Sequence, residues 1–151
     1  MHIPDGFLDP VTAAITYVIF IAYMAYAFYK SKATVDPSKI SLVTVLAAGI
    51  FAAQMLNWPL PGGTSLHFVG GAMAGILLGP WLGFATMFLV LFIQCIVFHD
   101  GGITALGANM LNMAIIDVLV GYLMYNFITA KFGKDEKPLM TSYLTPQFST
   151  K

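Results

Sequence analysis

Charged side chains are scarce in this sequence. Only 9% of its 151 residues are charged, against about a quarter in soluble domains, whereas 58% are hydrophobic. Arginine does not occur and the formal net charge is zero, so no basic patch points to nucleic-acid binding. The single cysteine, Cys95, cannot form a disulfide within the chain. A soluble fold of this length could not shield so much apolar surface, so the composition predicts a protein embedded in a lipid bilayer.

The motifs of several enzyme classes are also missing. The sequence has no G-x-x-x-x-G-K-[ST] loop for ATP, no H-E-x-x-H zinc motif and no serine or cysteine nucleophile beside a base. Residues 1–7 lack a basic region, and no small-residue cleavage site follows the first apolar run, which predicts that the mature chain begins at Met1. These absences favour a non-catalytic protein that would draw energy for active transport from a partner or an ion gradient.

Long apolar runs dominate the chain instead. Five runs, each bounded by lysines, turns or proline, cover about 10–29, 40–56, 66–79, 81–98 and 103–129. The third begins near Leu66, is short and breaks at Gly79-Pro80, because proline fits best at the start of the following helix. We therefore predict an all-α polytopic transmembrane bundle of about five spans. Residues 1–130 form its membrane domain and 131–151 a polar cytoplasmic tail.

The lysines predict the orientation of this bundle in a plasma membrane. With five spans and an outside N-terminus, all of them fall in the cytoplasm, in agreement with the positive-inside rule. They are Lys30, Lys32, Lys39, Lys131, Lys134, Lys137 and Lys151. An inside N-terminus would place every lysine on the wrong side of the membrane.

Small residues on two of the runs predict close helix packing. Gly71, Gly75 and Gly79 repeat every four residues on the third run, and Ala48 and Ala52 do so on the second. Such faces let helix backbones approach closely. Packing within this chain is the favoured interpretation, and the second run is the better candidate for docking a partner.

Three histidines, at positions 2, 67 and 99, fall on the outer side in this topology, near several side-chain amides. His2 is the most informative, because the Met1 amine, the His2 amide nitrogen and the His2 imidazole can close adjacent five- and six-membered chelate rings. Three coplanar nitrogens suit Ni(II) or Cu(II), and Co(II) is possible. His67 can supply a fourth nitrogen if its loop folds over the N-terminus.

Simpler interpretations of these residues stay open. His2 can be an incidental surface residue and His67 an amphipathic anchor at the membrane interface. His99 can hydrogen-bond within its loop or lie just behind a ligand. Asp117, the one acid well inside a run, is either a buried hydrogen-bonded carboxylate or part of an ion path.

The sequence nevertheless resembles a known family, the cobalt/nickel substrate-binding (S) components of energy-coupling factor (ECF) transporters, the CbiM/NikM type. The similarity covers residues 1 to about 127 and is most specific in the opening octapeptide and the block at 98–109. The matching segments are MHIPDGFL at 1–8, LHFVGGA at 66–72, LGPW at 78–81, Gln94, FHDGGITALGAN at 98–109 and Asn112-Met113.

The resemblance implies an importer subunit that captures Co(II) or Ni(II) from outside, in pathways such as cobalamin biosynthesis. It implies as partners a transmembrane coupling (T) subunit and an ATPase pair, and possibly a small accessory membrane subunit. The family's ligands fall on the Met1 amine, the His2 amide and imidazole, and the His67 imidazole. Asn109 matches a family position that orients a ligand, and His99 is a weaker candidate.

The sequence departs from the family pattern at the C-terminus. Family members usually continue through at least one more span, whereas this chain turns polar after Lys131. Two alternatives to an importer subunit follow. One is a truncated homologue that binds metal without transporting it, as a sensor or sequestering protein. The more distant one is a channel or ion-coupled carrier that works without ATPase subunits. The choice between cobalt and nickel stays open.

Overall fold

The computed structural model describes residues 2–32, 37–56, 58–60 and 64–132, and these are largely helical. The elements, in chain order, are α1 (Pro10–Ser31), α2 (Pro37–Gln54), β1 (Trp58–Leu60), β2 (Thr64–Leu66), α3 (Gly71–Val97), α4 (Leu106–Asn109), a π-helical segment (Met110–Ile116) and α5 (Asp117–Phe132). The two strands pair antiparallel, with Trp58 opposite Leu66. The last three helical elements run on as one helix from Leu106 to Phe132.

Four helices in the described residues are long and apolar enough to cross a membrane: Pro10–Ser31, Pro37–Gln54, Gly71–Val97 and Leu106–Phe132. The outer faces of these helices are apolar, and on α1 the side chains of Val11, Val18 and Tyr29 are about 70% exposed. So large an apolar surface matches lipid rather than water. The chain is a multi-pass membrane protein, as the composition predicts.

Helix α1 begins where its sequence provides a cap. The Asp9 carboxylate accepts hydrogen bonds from the amides of Val11 and Thr12, at 3.1 and 3.0 Å, and Pro10 occupies the first helical position. Proline suits that position because its missing N–H would have no helical partner. This cap fixes the direction in which residues 2–9 approach the start of the helix.

Helix α3 reverses direction at Gly79-Pro80. Gly79 has φ 77° and ψ 179°, which no helical residue adopts. A Cβ placed on Gly83 would lie 2.9 Å from the carbonyl oxygen of Ala74, although an uninterrupted helix separates these residues by about 13 Å. Residues 71–78 and 80–97 therefore form a helical hairpin, which confirms the predicted break. Within the described residues this reversal divides the third candidate span into an eight-residue arm, 71–78, and a long arm, 80–97, which gives about five helical segments.

The predicted start of the third span is wrong. Leu66, where that run was expected to begin, lies in β2, and the helix begins only at Gly71. The cause is Gly70, whose φ of 85° is incompatible with a right-handed helix. Residues 67–70 consequently lie outside regular secondary structure and connect β2 to α3.

The other predicted spans agree with the observed helices to within a few residues. The tail at 131–151 lies almost entirely outside the described residues, as do three of the lysines used to orient the bundle. The division into a membrane domain and a tail stays a prediction.

The core of the bundle is centred on the long arm of α3. Phe84, Met87, Val90 and Leu91 are at most 1% exposed and pack with buried side chains of α1, α2 and the 106–132 helix. A layer of aromatic contacts, such as that between Phe20 and Phe88, joins α1 to this arm. The arm thus forms a fixed support for residues 98–109, which follow its C-terminal end.

Asp117 has a structural role that its position in the sequence left open. Its carboxylate accepts a hydrogen bond at 3.1 Å from the amide of Ala72, in the first turn of α3. The amides at a helix start have no helical acceptor and carry partial positive charge, so a carboxylate stabilises them. Asp117 therefore holds the start of α3, directly after the segment 67–70 that carries His67.

The predicted packing of small residues within the chain is confirmed on α3. A Cβ on Gly75 would lie 3.0 Å from the carbonyl carbon of Val118 and 3.2 Å from its Cα, so α5 can approach only because Gly75 has no side chain. A Cβ on Gly49 of α2, by contrast, would meet nothing within 4 Å. The docking role suggested for that face of α2 stays a prediction.

These two glycines give a matched test of helix packing. We expect Gly75→Ala to lower the free energy of unfolding by about 1–3 kcal/mol, because the methyl group would push α5 away. Gly49→Ala should leave it unchanged or raise it by about 0.5–1 kcal/mol, since glycine disfavours a helix interior. Reversible unfolding in detergent measures both, and equal effects would contradict this account of α3 and α5.

Candidate metal centre

The N-terminal segment is clamped to the 106–132 helix through Ile3. Asn109 accepts a hydrogen bond from the Ile3 amide at 2.9 Å and donates one to the Ile3 carbonyl at 3.2 Å. The amide of Gly102 donates a further bond, of 2.9 Å, to the same carbonyl. Asn109 is only 4% exposed, so loss of either bond would leave a buried polar group unsatisfied. The clamp fixes the backbone directly after His2.

A second attachment lies at Asp5. Its carboxylate accepts hydrogen bonds from the hydroxyl and the amide of Thr104, at 2.5 and 2.8 Å. These bonds lower the pKa of the Asp5 carboxyl, the hydroxyl contributing most. Because the pKa is lowered in the folded state, the attachment contributes stability above the ordinary carboxyl pKa and loses it as the pH falls through the lowered value.

The glycines of the Asp100-Gly101-Gly102 turn allow this close approach. Gly101 has φ 102°, and a Cβ there would lie 2.8 Å from the Cβ of His2. A Cβ on Gly102 would lie 2.6 Å from a carboxylate oxygen of Asp5. Side chains at either position would displace residues 2–5 from the loop.

His67 is held with one ring nitrogen free. It is 8% exposed, and its Nδ1 lies 2.8 Å from the carbonyl oxygen of Phe68. A carbonyl can only accept, so Nδ1 carries the proton and Nε2 keeps its lone pair. Nε2 is buried and has no hydrogen-bond partner in the structure. This is the arrangement of a histidine that ligates a metal, with its other nitrogen bonded to a backbone carbonyl.

The His2 ring lies beside that of His67. The ring centroids are 5.9 Å apart and the planes differ by 14°. The His2 side chain is 4% exposed, and both its nitrogens are buried without a hydrogen-bond partner. The Asp100 carboxylate lies 3.2 Å from Nδ1, outside hydrogen-bonding geometry. Three imidazole nitrogens of these two neighbouring rings thus have no hydrogen-bond partner in the described residues, and an unpaired buried polar group costs free energy.

The charge state of His2 suits a ligand. Burial lowers the pKa of its imidazole, and the Asp100 carboxylate opposes this shift without reversing it. The neutral ring, which has a free lone pair, is therefore favoured. The same carboxylate places a negative charge next to the ring, where it would attract a cation.

The structure separates the predicted site residues into two groups. His2, His67 and Asn109 come together, whereas His99 is exposed and makes no hydrogen bond or ring contact with them in the described residues. Met1 lies outside the described residues. Sequence reasoning missed Asp100, because its role arises from a contact with the distant His2, and only the unusual Asp-Gly-Gly turn marked it.

No group of three or more His, Cys, Asp or Glu side chains in the described ranges could hold a metal ion. A site of this kind would need nitrogens that are not side chains, and the backbone beside His2 has them. The ligand set proposed from the sequence is of that type, and its membership stays a prediction.

Comparison with known proteins identifies the family. The family model described as the cobalt uptake substrate-specific transmembrane region matches residues 2–148. The chain belongs to this CbiM family. A transition metal transporter solved in truncated form has the same fold, with a TM-score of 0.82 and 37% identity over 95% of this chain and 66% of its own.

Named CbiM-type relatives include both nickel and cobalt proteins. One from Archaeoglobus fulgidus, with the provisional name of fused nickel transport protein NikMN, is 59% identical over 85% of this chain and 42% of its own. The cobalt transport protein CbiM of Acetoanaerobium sticklandii is 35% identical over 87% and 55%, respectively. The chain thus spans about half the length of these relatives.

Proposed function

We propose that this chain is the substrate-binding subunit of an ECF-type importer for Co(II) or Ni(II). It captures the cation at the extracytoplasmic face with four nitrogens: the Met1 amine, the His2 amide, His2 Nδ1 and His67 Nε2. A transmembrane coupling subunit and an ATPase pair supply the energy. His99 and Asn109, the weaker candidates, are not ligands in this proposal, and Asn109 holds Ile3.

One observation carries the proposal: the buried imidazoles of His2 and His67 lie side by side, and three of their nitrogens have no hydrogen-bond partner among the described residues. Native proteins rarely leave buried polar atoms unpaired, so several together point to a bound ligand. The His2 amide and the preceding amine adjoin this ring along the chain, so the three nitrogens can chelate one ion by covalent geometry alone. Ligation by the amide nitrogen requires loss of its proton, so binding releases protons.

The ligand set favours late transition metals over hard cations. Four nitrogens in a tetragonal arrangement suit Ni(II) and Cu(II), whereas Mg(II) and Ca(II) prefer oxygen ligands. By affinity order the set leans to nickel over cobalt, although availability in the cell can override that order. The Asp100 carboxylate offsets part of the positive charge of the ion.

The proposed direction of transport comes from the lysines. Lys30, Lys32 and Lys131 lie at the ends of helices opposite His2 and His67, and the positive-inside rule places those ends in the cytoplasm. The histidines then face outward. This topology matches an importer that collects its substrate outside the cell.

The test is uptake of radioactive nickel and cobalt in cells that also contain the coupling and ATPase subunits. We expect accumulation well above background, and loss of it when the ATPases carry an inactive nucleotide site. Equal uptake without the ATPases would contradict the proposal in favour of a channel or carrier. Tight metal binding without uptake in the complete system would contradict it in favour of a protein that only binds metal.

A further inference from the structure

A relay of two buried glutamines joins the two histidine segments. Gln54 donates a hydrogen bond through Nε2 to the carbonyl of Val69, two residues after His67. Gln94 donates through Nε2 to Oε1 of Gln54 at 2.8 Å. Gln54 is 4% exposed and Gln94 is fully buried. The relay therefore connects α2 and α3 to the segment 67–70, which carries His67.

The direction of these bonds fixes both amide groups. The Val69 carbonyl can only accept, so the NH2 group of Gln54 must face it and Oε1 of Gln54 must face Gln94. That oxygen in turn requires the NH2 group of Gln94. The carbonyl oxygen Oε1 of Gln94 is left over, and it is buried without a donor.

This leftover oxygen belongs to a closed ring of contacts around the histidines. The backbone carbonyl of Gln94 accepts a hydrogen bond of 3.0 Å from the amide of Asp100, whose carboxylate lies 3.2 Å from His2 Nδ1. His2 stacks on His67, and His67 leads back through Val69 to the glutamines. Four buried atoms of this ring have no hydrogen-bond partner among the residues that the structure describes: both nitrogens of His2, Nε2 of His67 and Oε1 of Gln94.

Two of these atoms are complementary once metal binds. In the proposed site Nδ1 of His2 and Nε2 of His67 ligate the ion. The neutral His2 ring must then carry its proton on its other nitrogen, Nε2. A ligating histidine almost always donates its second N–H to an acceptor. Oε1 of Gln94 is the matching acceptor without a donor.

We infer that Gln94 is a positioning residue for the metal site: its Oε1 accepts the Nε2–H of His2 in the metal-loaded protein. The inference rests on the proposed function. One pair of glutamines then sets the tautomer of His2 and the position of the His67 segment together, so either histidine reaches the ion only when the other is correctly placed.

Three variants test this inference by titration of the full chain in detergent with Ni(II). Gln94→Met removes the acceptor at similar size, and we expect the Kd to rise about 10- to 100-fold with a shift of the visible absorption band of bound Ni(II). Gln94→Glu, which is protonated when buried in this way, keeps the acceptor oxygen and also an O–H donor toward Oε1 of Gln54. It should retain both the band and an affinity within a few-fold of wild type. Thr86→Val removes another fully buried polar group of α3, bonded only to Leu82, and should change neither.

The outcomes separate this inference from the proposed function. If the wild-type chain binds neither Ni(II) nor Co(II) tightly, the proposed function fails. If it binds Ni(II) and Gln94→Met keeps the same Kd and band, or if Gln94→Glu loses as much as Gln94→Met, only the role of Gln94 fails.

A measurement on the wild-type chain covers the case in which Gln94→Met does not fold. With 15N-labelled histidine and Ni(II) bound, the Nε2 proton of His2 should be detected and exchange slowly with water. A deprotonated Nε2, or a proton in rapid exchange, would overturn the inference.

Discussion

An N-terminal extension that leaves no free amine next to His2 abolishes tight binding of Ni(II) and Co(II). We expect the Kd to rise by more than about 100-fold. This exceeds the loss of affinity typical when a residue that only hydrogen-bonds to a ligand is mutated. The extension removes the amine nitrogen and with it the five-membered chelate ring that the amine closes with the His2 amide. A binding titration of the purified protein with each metal, against a competing chelator, measures the effect.

The design of this variant matters because the chain has seven lysines that chemical acetylation would also modify. An uncleaved peptide tag of several residues blocks the N-terminus alone, and the same tag after Lys151 is the matched control. The tag must not place histidine third in the chain, since that position creates a different chelate of four nitrogens. Equal affinity of the two tagged proteins would contradict a ligand role for the amine.

Removal of the His67 imidazole has the second large effect. We expect His67→Ala to weaken Ni(II) and Co(II) binding by more than about 100-fold, because Nε2 is a buried, unpartnered nitrogen next to the His2 ring. The fold should survive, since the ring makes a single hydrogen bond, to the adjacent Phe68 carbonyl. Calorimetric titration and the absorption spectrum of bound Ni(II) measure the change.

His99→Ala is the matched control for that substitution. His99 is exposed, and in the described residues its ring makes no contact with the other two histidines. Its loss should therefore change the Kd by less than about three-fold, a change typical of surface substitutions. A loss of affinity in His99→Ala as large as in His67→Ala would contradict the assignment of ligands. So would full binding by His67→Ala in a folded protein.

The membrane architecture is readable from the sequence because its signals are local. Apolar length marks the helices, and Gly79-Pro80 marks the reversal, since glycine alone accepts the observed φ and proline suits the first position of the second arm. The chelating potential of Met1 and His2 is local as well, because its nitrogens are consecutive along the chain.

The supporting contacts are not readable in this way. Asp117 accepts a hydrogen bond from Ala72, 45 residues earlier in the chain, and Asn109 holds a residue 106 positions away. No periodicity or spacing in a single sequence encodes such pairs. For the same reason the sequence leaves His99 as a weaker candidate beside His2 and His67, whereas the fold buries those two together and leaves His99 exposed.

The π-helical segment at Met110–Ile116 separates Asn109 from Asp117 and so sets the angle between two anchors on one helix. Asn109 holds the N-terminal segment and Asp117 the start of α3, so this angle fixes how the two histidines face each other. Each residue of an α-helix turns the chain by about 100°, so a one-residue deletion here would rotate one anchor away from its partner. The mutual orientation of the two imidazoles thus depends on rotational phase along a helix that contains neither histidine.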